Sequence, residues 1–260
     1  MRRKADLDLA DPALQPADGG GRIYRQIAER IRLGIADGRF PPGSRLPAER
    51  DLARQLAVSR TSVREALIAL EIGGFVEVRL GSGIYVVDSL PFLRPLFEAV
   101  DPGPGPFELL RARWVVEGEV TGWAARVIDD AALDRLARSL AVLGAPDAGP
   151  PEQDDADRAF HLGIAAATGN SALIQTVRML WDQRRGPMWR TLTERFRTPV
   201  LRALVLEDHA EILQALRSHS PLRARRSMRR HLAHVSREFA RSPPVFSESP
   251  ARRSLSVVPI

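Results

Sequence analysis

Residues 42–87 read PGSRLPAERDLARQLAVSRTSVREALIALEIGGFVEVRLGSGIYVV. Pro47 suits the first turn of a helix, and Leu52, Ala53 and Leu56 then share one face, so a short helix is expected over 48–56. A break of one or two residues falls at Ala57-Val58. Ser59 opens a second helix with Val63, Ala66, Leu67 and Leu70 inward, and Gly73-Gly74 ends it. Phe75–Arg79 and Ile84–Val87 then flank Gly81-Ser82-Gly83, the pattern of a short hairpin with a glycine-rich tip. Helix, turn, helix and hairpin together describe a winged helix-turn-helix.

Upstream, Ile23, Ile27, Ile31 and Ile35 stand four apart before Gly38, which predicts a helix over 22–37. Residues 1–20 mix charges with Asp, Pro, Ala and Gly and read as a flexible tail. The winged helix-turn-helix therefore takes 21–88. Residues 89–106 hold Pro91, Pro95, Pro102, Pro104 and Pro106 and read as a linker, with a short helical turn near 92–100. From 107 to 241 the pattern is helical throughout, in segments 107–127, 130–143, 153–168, 171–183, 187–196, 199–218 and 221–241. No strand pattern appears there, so a helix bundle is expected. Residues 242–260 read as a second flexible tail. The fold class is mainly α: an N-terminal winged helix-turn-helix followed by an all-α helical-bundle effector domain.

Composition narrows the function. The 260 residues contain no cysteine, which excludes disulfides, thiolate metal sites, iron–sulfur clusters and a cysteine nucleophile. No run of about 18 apolar residues occurs, so no membrane span is expected. The opening MRRKADLDLADPAL has charges and no apolar core after them, so a cytoplasmic protein without a secretory signal is expected. Lys and Arg number 38 against 32 Asp and Glu, a net charge of +6. Lys4 is the sole lysine, so part of that basicity reflects an arginine-rich coding bias. The charge permits nucleic-acid binding without showing it. Neither GxxxxGK[ST] nor GxGxxG after a strand is present, so no nucleotide fold is indicated.

The second short helix offers Ser59, Arg60, Thr61, Ser62 and Arg64 at its start. Arginine can bond two guanine acceptors at once, and the hydroxyls suit phosphates or bases in a major groove. Arg45 and Arg50 lie near the turn, where backbone contacts are expected. Gly81 lets the wing tip approach a sugar–phosphate surface. On pattern alone, a helical hairpin with a solvated arginine face remains an alternative. The stretch LPAER, VSRTSVREAL, the GF followed by V, and GSG resemble the DNA-binding domain of the GntR family of bacterial transcription regulators. The resemblance implies that Arg45, Arg50, Ser59, Arg60, Thr61, Ser62, Arg64 and Gly81 contact double-stranded operator DNA. Ala57 departs from it, standing where the family has glycine. If that residue needs a positive φ, alanine costs about 1 kcal/mol.

The helical part carries all five histidines: 161, 209, 219, 231 and 234. His161 follows Asp157 by four residues, so both share a helix face, which Phe160 and Ile164 turn inward. His209 lies on the stripe Val205, Ile212, Leu213 and Leu216. His231 flanks Met228, Leu232, Val235 and Phe239. Three imidazoles and a carboxylate suit a borderline divalent cation. The spacing equally allows separate, hydrogen-bonded buried histidines. FELLRARWVVEGEVTGWAA, DADRAFHLGIAAATGN, EDHAEILQALRSH and SMRRHL resemble the ligand-binding domain of the FadR branch of the same family. That resemblance implies Asp157, His161, His209 and His231 as metal ligands, with zinc first and nickel or manganese as alternatives. It also implies Arg113 and Asn170 as contacts for a small carboxylate effector, and a homodimer acting as a repressor. His219 is read as exposed near a helix end, and His234 as partly in the core. A metalloenzyme with an accessory DNA-binding domain and a pure metal sensor are the alternatives. No general base is evident beside the ligands, so no enzyme activity is expected.

Overall fold

The computed structural model describes residues 22–79, 82–87 and 103–241. The tails, most of the linker and Gly81 lie outside them. Helix α1 (Ile23–Ala36) buries Tyr24, Ile27 and Ile31. Helices α2 (Glu49–Gln55) and α3 (Arg60–Ile72) form the helix-turn-helix. Ala57 does take a positive φ, 52°, as the turn requires. Ser59 caps α3, its Oγ accepting from the Ser62 N–H at 3.0 Å. Strands β1 (Val76–Arg79) and β2 (Gly83–Val86) pair antiparallel, with Val76 opposite Val86 and Arg79 opposite Gly83. Residues 43–46 add a further edge that the sequence pattern does not show: Leu46 N–H donates to Ile84 O and Val86 N–H to Ser44 O. Gly83 has φ 121°, and a Cβ there would stand 2.4 Å from Arg45 Nε, so glycine lets Arg45 lie along the wing.

The bundle contains α4 (Pro106–Val127), α5 (Asp130–Gly144), α6 (Pro150–Ala167), α7 (Ser171–Asp182), α8 (Pro187–Phe196), α9 (Pro199–Arg217) and α10 (Pro221–Ala240). A 3-10 turn at Gln183–Arg185 joins α7 to α8. Pro106, Pro150, Pro187, Pro199 and Pro221 open their helices, where a missing N–H costs nothing. For this reason α6 begins three residues earlier than its apolar pattern suggests. Helix α4 packs along α10, α5 along α6, and α9 along α10.

The two parts share one continuous apolar core, and α3 faces the bundle. Two adjacent residues of α3 hold opposite helix ends. Glu65 Oε1 accepts from the backbone N–H of Phe107 (2.7 Å) and Glu108 (3.3 Å) at the start of α4. Arg64 Nη1 donates to the carbonyls of Phe239 (2.8 Å) and Arg241 (2.9 Å) at the end of α10. A carboxylate at a helix N-terminus and a guanidinium at a C-terminus each complement the helix dipole. Glu71 pairs with Arg195 of α8, and Tyr24 OH donates to Gly103 O at 2.8 Å.

Candidate functional site

Helix α3 and the wing assemble most of the expected DNA contacts on one side. Arg45, Arg50, Ser59 and Arg60 are exposed, and Thr61 is half-buried. The Ser59 hydroxyl lies 2.8 Å from those of both Thr61 and Ser62. Ser62 is buried, so its hydroxyl serves the helix cap before any phosphate. Arg64 is a correction. It is 7% exposed, bound to Glu49 through Nε (3.0 Å) and Nη2 (2.6 Å) and to the end of α10 through Nη1, and is not presented to DNA in this arrangement. Gly81 lies outside the described residues. A cleft of about 560 Å³ runs between this face and α8, lined by Arg45, Arg50, Arg60 and Arg79 on one side and Arg195 and Phe196 on the other. Arg79, stacked 4.4 Å over the Tyr85 ring, is a wing arginine the motif reading did not single out.

In the bundle, His161, His209 and His231 converge, each buried, with one ring nitrogen apiece inside a 4.8 Å set. Their partners fix the tautomers. His209 Nδ1 lies 2.8 Å from Val205 O, which can only accept, so Nδ1 carries the proton and Nε2 keeps a lone pair. That lone pair faces Asp157 Oδ1 at 3.0 Å. His161 Nδ1 lies 2.5 Å from Glu117 Oε2, so its Nε2 is likewise free, 3.6 Å from the same Asp157 oxygen and without a hydrogen-bond partner. Acceptors facing acceptors in a buried site require a cation between them or extra protons. On His161 and His231 an extra proton is disfavoured, because burial pushes His161 down and His231 to about 3. Against burial, Arg113 and then His161 hold Glu117 at about 2, so it stays an acceptor for the His161 N–H. The three imidazoles form a group that could hold a metal ion, with Asp157 Oδ1 beside two of them.

Residues 23–86 match the family described as bacterial regulatory proteins, gntR family, and residues 108–234 match the FCD domain. The Uxu operon transcriptional regulator of Escherichia coli K12 is 37% identical over 233 residues, 87% of this chain and 90% of that one. The chain belongs to the GntR family. The Exu regulon transcriptional regulator of Escherichia coli K12 is also 37% identical, over 221 residues, covering 81% and 82% of the two chains. Among solved structures, Streptococcus agalactiae GntR aligns over 82% of this chain and 99% of that one, at 27% identity and a TM-score of 0.44. This GntR-family chain is thus a transcription regulator rather than an enzyme, with a helix-turn-helix that implies operator binding and an FCD effector domain. Among the described residues, no helix is long and apolar enough to cross a membrane.

Beside the His cluster of the GntR-family bundle lies a cavity of about 120 Å³, lined by Arg113, Asp157, Arg184, Trp189, Arg202 and His231 among others. Arg113 is 3% exposed, bonded to Glu117 at 2.6 Å and stacked 4.2 Å from the Trp181 ring. Asn170 is a second correction: it is exposed, does not line the cavity, and caps α7 by accepting from Ala172 N–H (3.0 Å) and Leu173 N–H (3.2 Å). His219 is exposed at the end of α9 with φ 47°. His234 lies 2.9 Å from Asp208 Oδ2. Asp208 also lies 3.5 Å from His231 Nδ1, orienting that ring. Glu117, Asp208 and Arg184 were not singled out as site residues from the sequence.

Proposed function

We propose that this GntR-family regulator is a ligand-responsive repressor acting as a homodimer. Its helical domain holds a divalent cation on Asp157, His161, His209 and His231 and takes a small organic acid beside it. The observation that carries this reading is the meeting of two imidazole lone pairs and one carboxylate oxygen at a buried point next to a small basic cavity. Three imidazoles favour zinc, with nickel and manganese as alternatives, over calcium or magnesium. The cation supplies a Lewis-acid anchor for a carboxylate. Arg113 adds charge-assisted donors on the same cavity wall. The homodimer is supported by Val115, Trp123 and Val127, exposed along α4, and Leu222, exposed on α10. A second copy would cover that apolar surface. Each winged helix then reads half of a palindromic operator. The acid must favour one dimer geometry, or it switches nothing.

Two substitutions separate the sites. Arg60→Ala is expected to cost about 1–3 kcal/mol on an operator recovered by selection from random duplexes, and to relax preference at one base pair. Equal weakening on random DNA removes Arg60 from base readout. Arg113→Ala is expected to keep its operator affinity and to lose the response to the acid that a thermal-shift screen of small carboxylates returns, with its metal content measured alongside because Arg113 also holds Glu117 against His161. A normal response takes the regulatory site out of this cavity. Operator affinity that follows zinc concentration with no acid present makes the ion itself the effector.

A further inference from the structure

Arg184 belongs to no sequence motif, yet its surroundings are built. It sits in the 3-10 turn between α7 and α8, and its side chain is 14% exposed. Its guanidinium carbon lies 4.0 Å from the Trp181 ring and 4.7 Å from the Trp189 ring, so two indoles hold the group in place. Nη1 donates to Asp157 Oδ2 at 3.0 Å. The other oxygen of that carboxylate, Oδ1, is the one facing His161 and His209. Asp157 is therefore divided: one oxygen for the imidazole cluster, one for Arg184. A guanidinium has five N–H donors, and the bond to Asp157 uses one.

Arg184 also stands where two cavities meet. The inner one is lined by Asp157 and His231. The outer one, about 320 Å³, is lined by Asp155, Arg158, Trp181 and Arg190, and shares Asp154, Arg184, Trp189 and Thr193 with the inner one. Arg184 therefore offers its donors to an anion in either cavity.

We propose that Arg184 is the positioning residue of this site: it restricts Asp157 to a single ligating oxygen, which leaves a position on the cation open, and its remaining donors receive the anion that fills that position. The inference rests on the cation reading above. It makes the guanidinium a partner of both ligands, so cation and anion each favour the arrangement that the other needs. Outer partners of ligating groups typically contribute about 10–100-fold to metal affinity. Without Arg184, Asp157 is free to turn and use both oxygens, closing the open position.

The test uses the full chain loaded with Co²⁺, whose visible spectrum reports coordination, and azide as the anion probe. Wild type is expected to bind Co²⁺ and to change its spectrum on adding azide. Arg184→Ala is expected to bind Co²⁺ about tenfold more weakly, show an altered spectrum before azide is added, and bind azide at least about tenfold more weakly. Arg184→Lys, which keeps the charge but not the fork, is expected to restore Co²⁺ binding and not azide binding. Gln183→Ala, an exposed change in the same turn that lines neither cavity, serves as the control for the turn. Co²⁺ affinity, spectrum and azide response all unchanged in Arg184→Ala overturn the inference and leave the cation site standing. A Co²⁺-loaded wild type that does not respond to azide overturns it as well. A wild type that binds no Co²⁺ fails the cation reading itself, and this inference with it.

Discussion

Alanine at His209 is expected to strip the helical domain of its cation. His209 is fully buried, its Nε2 lone pair is directed at Asp157 Oδ1, and its ring lies 4.6 Å from that of His231 and 5.2 Å from that of His161. Without it, the site keeps two imidazoles and a carboxylate and loses the group that joins α9 to α6. Elemental analysis should fall from near one metal per chain to near zero, and His219→Ala should leave the content unchanged. Thermal stability should fall with it, because a ligand present at 1,000 times its dissociation constant stabilises the native state by about 4 kcal/mol. A strong chelator added to wild type should reproduce most of that loss, separating the cation's contribution from the cavity left by the missing ring. Full occupancy in His209→Ala places the cation elsewhere and reduces the cluster to ordinary buried histidines.

What the sequence made legible was local. The turn at Ala57, the cap at Ser59 and the proline helix starts depend on a few neighbouring residues, and each appears where its chemistry demands. That His161, His209 and His231 come together was left open by their spacing, which places each on or beside an apolar stripe but does not say that the stripes converge. What was not legible depends on partners far along the chain. Glu117 reaches His161 across 44 positions, and Arg64 reaches Phe239 across 175. A polar residue on a helix reads as solvated until the element that covers it is known, and nothing in residues 59–72 announces α10. Asn170 had a local signal that the turn reading passed over: an Asn directly before a helix is a cap. Arg184 lies in a turn without periodicity, so its role emerged only once Trp181, Trp189 and Asp157 surrounded it.

Alanine at Gly105 is expected to weaken the docking of the winged helix on the bundle, which the shared apolar core, Arg64 and Glu71 also hold. Gly105 has φ −61° and ψ 146°, a backbone alanine adopts freely, so the substitution acts through its methyl alone. That Cβ would stand 2.4 Å from Glu65 Oε1 and 2.5 Å from its carboxyl carbon, and the side chain must withdraw from the Phe107 and Glu108 N–H groups. Losing the two hydrogen bonds costs about 0.5–1.5 kcal/mol each, or roughly 5–100-fold in the population of the undocked state. In the docked state Arg45, Arg50 and Arg60 line the 560 Å³ cleft that α8 flanks on its other side, so a duplex read by this face must also clear α8. On the expectation that docking competes with operator binding, Gly105→Ala, which touches no DNA contact, should raise operator affinity. Small-angle scattering should show a larger radius of gyration. The latch also carries a pH signature. Burial raises Glu65 to about 7, against which the Phe107 and Glu108 N–H groups pull down, while the undocked side chain returns to its ordinary 4.5. Between those values the docked state binds the extra proton, so docking strengthens as pH falls through 7 and weakens as pH rises to it. Operator affinity should thus climb from pH 6 to pH 8 in wild type and stay flat in Glu65→Gln, which accepts the same N–H bonds without a charge. An unchanged radius and affinity in Gly105→Ala would mean that Glu65 does not hold the two parts together, and that the signal between effector and DNA runs through the 88–102 segment alone.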